Sequence, residues 1–117
     1  MLLGFQKQFV DKILSGEKRQ TIRARRKYPI KVGDKLQLYY GLRTKQCKKI
    51  MDARCKQTHD IEIKSDGTIF INNFLLNATY DPIAKADGFN NYNEMYNWFC
   101  KNHNLKKENF IGNIICW

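Results

Sequence analysis

Proline is almost missing from this chain, with two residues in 117. No repeat, low-complexity tract or Pro/Gly-rich linker divides the sequence, and the length suffices for one hydrophobic core but not for two of ordinary size. The chain therefore reads as a single domain, residues 1–117. Long apolar runs are also missing. The opening "MLLGFQKQFV" has no signal-peptide core, and no later stretch reaches the length a bilayer demands, so a soluble, cytoplasmic protein with no membrane partner is expected. The four cysteines, Cys47, Cys55, Cys100 and Cys116, contain no C-x-x-C pair, and only His59 and His103 could help them. This argues against a zinc site; reduced thiols, no metal and no cofactor are expected. Carboxylates are the last scarcity, with 11 Asp and Glu against 21 Lys and Arg, a formal charge of +10.

What is present is apolar and aromatic enough to fold, at 43% and 13% of residues, which sets general disorder aside. The excess charge repels itself in a compact chain, and a polyanionic partner is one reason to keep it. Its placement is uneven. Thirteen of the 21 basic residues fall in two windows, 17–31 and 43–56, the first holding Lys18, Arg19, Arg23, Arg25 and Arg26, the second Arg43 and Lys45. These are either solvated faces of a basic protein or the two sides of a nucleic-acid cradle.

Periodicity supplies the elements. Phe5, Phe9, Val10, Ile13 and Leu14 follow helical spacing, with Gly16 as a stop. "QTIR" reads as a short strand, and "KVGDKLQLYYG" as a turn at Gly33-Asp34 followed by a strand with Leu36 and Leu38 on one face. A long strand is expected from Cys47 to His59. "IEIKSDGTIFI" reads as a hairpin in which Ile61 and Ile63 answer Ile69 and Ile71 across Asp66-Gly67. Asp81 as cap, Pro82 at the first turn and Gly88 as a stop mark a short helix. A second helix opens with Asn91 and Glu94 in capping-box spacing and carries Tyr92, Met95 and Phe99 as a core stripe. "NFIGNIICW" makes a final strand closing the sheet.

The helix ending at Gly16, the run "GEKRQTIR", the downstream "VGDKLQLY", "AKADGF" and the closing "FIGNIICW" together resemble the ASCH domain, a member of the PUA-like superfamily. The resemblance spans nearly the whole chain. It implies an α+β fold, a five- to six-stranded β-barrel with two or three flanking helices and a cleft between barrel and helix. It also implies binding of RNA or another nucleic acid, or of a modified nucleoside. The family signature is G-x-K-x-x-E-x-R, and here Gly16, Lys18, Thr21 and Arg23 stand in that spacing with Thr in the Glu place. The G-x-K-x-x-T-x-R form resembles a branch of small amidohydrolases that deacetylate N(4)-acetylcytidine. By that resemblance Lys18 is the base, Thr21 the nucleophile and Asp87 the acid, where the branch has Glu.

The residues allow this chemistry and also plainer roles. A Thr hydroxyl needs a base in hydrogen-bond reach, and on a regular strand Lys18 and Thr21 point to opposite faces, so a turn or bulge at Arg19-Gln20 is required. Crowding by Arg19, Arg23 and Arg25 favours a neutral Lys18 and an oxyanion. Alternatively Thr21 is a β-branched strand residue, Lys18 a phosphate-binding cation and Asp87 a local turn residue. Arg23 suits phosphate or carboxylate recognition, or pairing with Asp34. In the second window Tyr39 and Tyr40 interleave with Arg43, Lys45, Lys48 and Lys49, as base stacking beside a phosphate backbone demands; alternation turns one of the two tyrosines inward, and Tyr40 is the cleft candidate. The expected site is a groove lined by Lys18, Thr21, Arg23, Tyr40, Arg43 and Lys45, with Arg19, Arg25 and Arg26 as further nucleic-acid contacts.

Overall fold

Leu36 and Leu38 alternate with polar residues in "KLQLYY", and a strand forms there, Lys35–Tyr40, with both leucines fully buried. It is the centre of a three-stranded sheet. The computed structural model describes residues 1–117 as an α+β arrangement of eight strands in two sheets with three α-helices. The strands are β1 (Leu2–Phe5), β2 (Gln20–Ala24), β3 (Lys35–Tyr40), β4 (Lys48–Arg54), β5 (Gln57–Ile63), β6 (Ile69–Ile71), β7 (Phe74–Leu75) and β8 (Phe110–Cys116); the helices are α1 (Val10–Ser15), α2 (Asp81–Ala86) and α3 (Tyr92–His103). No helix is long and apolar enough to cross a membrane.

The smaller sheet runs β1-β3-β4 with β1 parallel to β3, and the larger runs β2-β8-β5-β6-β7, antiparallel throughout. Leu3, Leu36 and Leu38 of the first and Ile61, Ile63, Ile69 and Ile114 of the second belong to one core, which Met95 and Phe99 of α3 also enter. The hairpin forms in the expected register, Ile61 opposite Ile71 and Ile63 opposite Ile69. Asn91 caps α3 by accepting from the Glu94 backbone N–H at 2.9 Å.

Six expectations change. The strands number eight in two sheets, where five or six in one barrel were expected. The helix expected from Phe5 begins only at Val10, after a 3₁₀ turn, because Phe5 pairs with Tyr40 at the end of β1. The strand expected over 47–59 is two strands: at Cys55-Lys56 the chain leaves β3 for β8, the Cys55 N–H donating to the Asp34 carbonyl and the Lys56 N–H to that of Cys116. The β8 strand lies inside the larger sheet, between β2 and β5, instead of at its closing edge. Asp81 does not cap α2; its carboxylate accepts from the Tyr92 backbone N–H at 2.9 Å and so ties α2 to α3. A register shift between Leu38 and Tyr39 also breaks the alternation of β3, leaving Tyr39 and Tyr40 both half-buried.

Candidate functional site

The helix α1 stops at Gly16, and residues 17–19 turn before β2 begins, with the Lys18 N–H donating to the Lys12 carbonyl at 2.9 Å. This is the non-strand step that Lys18 and Thr21 require to share a face, and both side chains do line one cavity of about 490 Å³. Lys18 is buried at 2% exposure, between the rings of Phe9 and Phe5, with Nζ 4.8 and 5.7 Å from their centroids. Nζ donates to the Asp87 backbone carbonyl and lies 3.3 Å from Asp87 Oδ1.

Asp87 reaches this place from the C-terminal end of α2. The following Gly88 has φ 97, and a Cβ there would stand 2.9 Å from Phe9 Cδ1 and 3.0 Å from Lys18 Cδ, so only glycine lets the α2 end press against the Lys18 stem. Lys12 Nζ donates to the Gly88 carbonyl at 2.8 Å and fastens the same turn to α1. The Gln20 amide stands beside the Asp87 carboxyl from the other side but outside hydrogen-bonding geometry, so that Gln20 Nε2 and Asp87 Oδ1 are both buried without a formal hydrogen bond.

Thr21 and Arg23 are two apart on β2 and share a face, as strand periodicity demands. Arg23 Nε donates to Thr21 Oγ1 at 3.0 Å, Nη2 donates to the Gly4 carbonyl at 2.6 Å, and the guanidinium lies 4.7 Å from the Phe5 ring centroid. Arg23 is thus committed to Thr21 and Gly4, and Asp34 instead accepts from the Lys31 N–H. No hydrogen bond joins Lys18 Nζ to Thr21 Oγ1; each atom is held by a different partner, Asp87 for the first and Arg23 for the second.

Burial governs the protonation of this floor. It draws the Lys18 amine below the ordinary lysine range, against the pull of Asp87 and with help from Arg23 and Lys12. It pushes the Asp87 carboxyl up, against Lys18, Gln20 and Arg23. It lowers the Arg23 guanidinium to about 10, which leaves it charged at neutral pH. The positive crowding around Lys18 therefore comes from Arg23 and Lys12, while Arg19 and Arg25 are exposed and take no part.

The walls of the cavity were not foreseen. Phe5, Phe9, Phe89 and Trp98 line it, with Asn102 and His103 at the end of α3. Trp98 meets Phe9, Phe89 and Phe99 edge to face with centroids 5.1 to 6.4 Å apart, and its Nε1 donates to Gln6 Oε1 at 3.1 Å. His103 stacks on Phe99 at 5.3 Å, and burial together with the Arg23 charge holds its imidazole below the usual range. The signal that could have found Trp98 and Asn102 is their spacing of four on α3, off the Met95 and Phe99 stripe.

Of the expected groove, the fold brings together Lys18, Thr21 and Arg23, and it adds Asp87 of the expected catalytic set. No residue of the second basic window lines the cavity; Gly41 and Leu42, just before it, do. Tyr40 donates to Gln46 Oε1 at 3.4 Å, and Arg43 and Lys45 lie exposed on the loop that follows, outside the lining. Arg25 lines a separate hollow beside Asp60 and Glu62, Arg26 is half-buried outside the cavity, and Arg19 opens on the far side of the chain. No three His, Cys, Asp or Glu side chains converge, and the four cysteines are free thiols. No protein-family model, curated protein or solved structure matches this chain.

Proposed function

We propose that the protein is an ASCH-type nucleic-acid-binding domain, its two sheets forming the PUA-like barrel, which receives a nucleobase of RNA or a modified nucleoside in the cavity above Lys18. The observation that carries this reading is the joint presence of aromatic walls, Phe5, Phe9, Phe89 and Trp98, and a polar floor, Lys18, Thr21, Arg23 and Asp87, in a space of about 490 Å³. That volume lies in the range of small-ligand pockets, roughly 300–1,000 Å³. Rings supply the stacking surface and the floor supplies donors and acceptors for a base edge. The surrounding charge of +10 supports attraction of the phosphate backbone.

Titration of a short single-stranded RNA across a salt series, beside the free nucleoside, tests the reading. Log affinity for RNA should fall with log salt at a slope of about −3.5 for about five phosphate contacts, while an uncharged nucleoside should show little dependence. No RNA binding at low salt and no nucleoside binding would end this reading.

A second reading is supported by one observation: Lys18, Thr21 and Asp87 are all buried and all line the same cavity. A metal-independent amidohydrolase would use Thr21 and Lys18 as follows, with Asp87 positioning the Lys18 amine. Thr21 Oγ attacks the acyl carbonyl and gives its proton to the Lys18 amine, Arg23 faces the oxyanion, and collapse expels the nucleoside amine, which takes a proton back from Lys18. Water then releases the acid from Thr21. The step requires Lys18 Nζ to turn from the Asp87 carbonyl to Thr21 Oγ1 when substrate enters. Acetate release from N(4)-acetylcytidine measures it, and full turnover by Thr21→Ala excludes this nucleophile.

A further inference from the structure

Successive residues 18 and 19 point to opposite sides of the chain. Lys18 enters the cavity, whereas Arg19 emerges behind it, between two hollows of about 420 and 440 Å³ that share Gly16, Arg19, Lys56 and Trp117. Both are lined by these four residues, so the two hollows adjoin at the Arg19 side chain and are treated together as one groove. Arg54 lines one end and Glu17, the single acid, the other. Arg19, Arg54 and Lys56 are exposed, and none makes an ion pair; the two ion pairs of the protein are Lys18 with Asp87 and Lys49 with Asp52.

The backbone fixes the points from which these side chains extend. The Trp117 N–H donates to the Arg19 carbonyl at 2.9 Å and the Lys56 N–H to the Cys116 carbonyl at 2.8 Å, which fixes Arg19 and Lys56 on either side of the end of β8. Arg54 ends β4 opposite Lys35, and its Nη1 donates to the Gly33 carbonyl at 2.9 Å. The Arg19 guanidinium lies against Gly16, where a Cβ would come within 3.3 Å of Nη2. Three unpaired cations on fixed supports, along a concave floor and facing one carboxylate, match a run of phosphates better than a single anion.

Resting on the nucleic-acid reading above, we infer that this groove carries the phosphodiester backbone of a bound single-stranded RNA, with Arg19, Arg54 and Lys56 each neutralising a phosphate. Selection of the base and grip on the backbone then belong to opposite faces of the 17–21 segment. The groove residues Arg54 and Lys56 lie outside the motif that marks the cavity.

The test compares a fluorescein-labelled oligouridylate RNA with the wild-type protein and with the triple variant Arg19→Gln, Arg54→Gln, Lys56→Gln across a salt series. The variant's slope of log affinity against log salt should be shallower by about 2, since each single-strand phosphate contact contributes about 0.7. Its binding of free nucleoside should be unchanged, because none of the three lines the cavity. Should the triple variant fail to melt cooperatively, Lys56→Gln alone, whose side chain makes no hydrogen bond, carries the test with a change of about 0.7. A slope equal to that of the wild type overturns the groove while leaving the base cavity standing. Nucleoside binding by the wild type without RNA binding also overturns the groove alone, and loss of both ligands overturns the parent reading. Tripolyphosphate binding as tightly as RNA, and lost in the variant, would assign the groove to a free polyphosphate and overturn the backbone assignment.

Discussion

Replacing Lys18 by Met keeps an unbranched side chain of similar length and removes the amine that faces Asp87 and the Phe5 and Phe9 rings. At neutral pH this strands a carboxylate that is 5% exposed, and breaking a buried pair by removing one member costs about 3–5 kcal/mol. The pH dependence follows from linkage. Burial already raises the Asp87 carboxyl above 3.8 even with Lys18 present, and loss of Lys18 raises it further. A folded carboxyl that keeps its proton where the unfolded one has lost it gives stability that is full below 3.8 and disappears as pH rises through the folded value, at about 1.4 kcal/mol per pH unit. In the wild type Lys18 draws the Asp87 carboxyl back down against burial, so the same loss of stability with rising pH is present but smaller. Thermal melts of both proteins at acidic and neutral pH read the difference. The Lys18→Met deficit should be small near the carboxylate range and grow to about 10–20 °C at neutral pH, taking roughly 3–5 °C per kcal/mol for a domain of this size. A deficit equal at both pH values would mean that Lys18 contributes only packing, and the electrostatic account of the floor would be wrong.

The aromatic wall gives the next outcome. Trp98→Ala should weaken nucleoside binding by about 1–3 kcal/mol, the value of one stacked ring, read by calorimetric titration; undiminished affinity would show that the base does not stack there. Gly88→Ala forces a side chain into left-handed φ and against Phe9 and Lys18, so it should lose about 1–3 kcal/mol from overpacking and lower nucleoside affinity by displacing Lys18, with melting and titration as the two readouts. His103 is held below its usual range by burial and Arg23. Its neutral form therefore gives stability present above 6.5 and lost as pH falls through the folded value. His103→Gln should remove that acid sensitivity between pH 6.5 and more acidic buffers, and an unchanged melting profile would refute the assignment.

Local patterns announced those elements whose reason for existing is local. The 61–71 hairpin was legible because alternation and an Asp-Gly turn lie within eleven residues, and α3 because its cap and its core stripe are contained in one helix. The misread elements owe their form to distant partners. Phe5 looks helical from its spacing to Phe9, yet Leu3 and Phe5 are buried because β1 lies parallel to β3, more than thirty residues away. The break at Cys55-Lys56 has no glycine or proline to mark it; it occurs because β4 has β3 as its neighbour and β5 has β8. Asp81 has the composition of a cap and the position of a tether, since Tyr92 offers it an N–H once α2 and α3 have docked.

The same division runs through the site. Gly16, Lys18, Thr21 and Arg23 lie within eight residues and could be read as a unit, whereas Asp87, 69 residues from Lys18, has no local signal that joins it to them. The second basic window was misjudged for another reason: Arg43 and Lys45 sit in a loop, where no period constrains direction, and they turn to solvent while the uncharged Gly41 and Leu42 face the cavity. Burial moves Lys18 and Asp87 toward neutrality, Arg23 is engaged by Thr21 and Gly4, and the walls are aromatic, so on the proposed reading the interior would select a guest by shape and hydrogen bonding more than by net charge. The outward cations act through a screened field. Rising salt should therefore weaken the hold on a polyanion while leaving the choice of guest in the cavity untouched, and a protein in which both fell together with salt would have to bind its guest by charge.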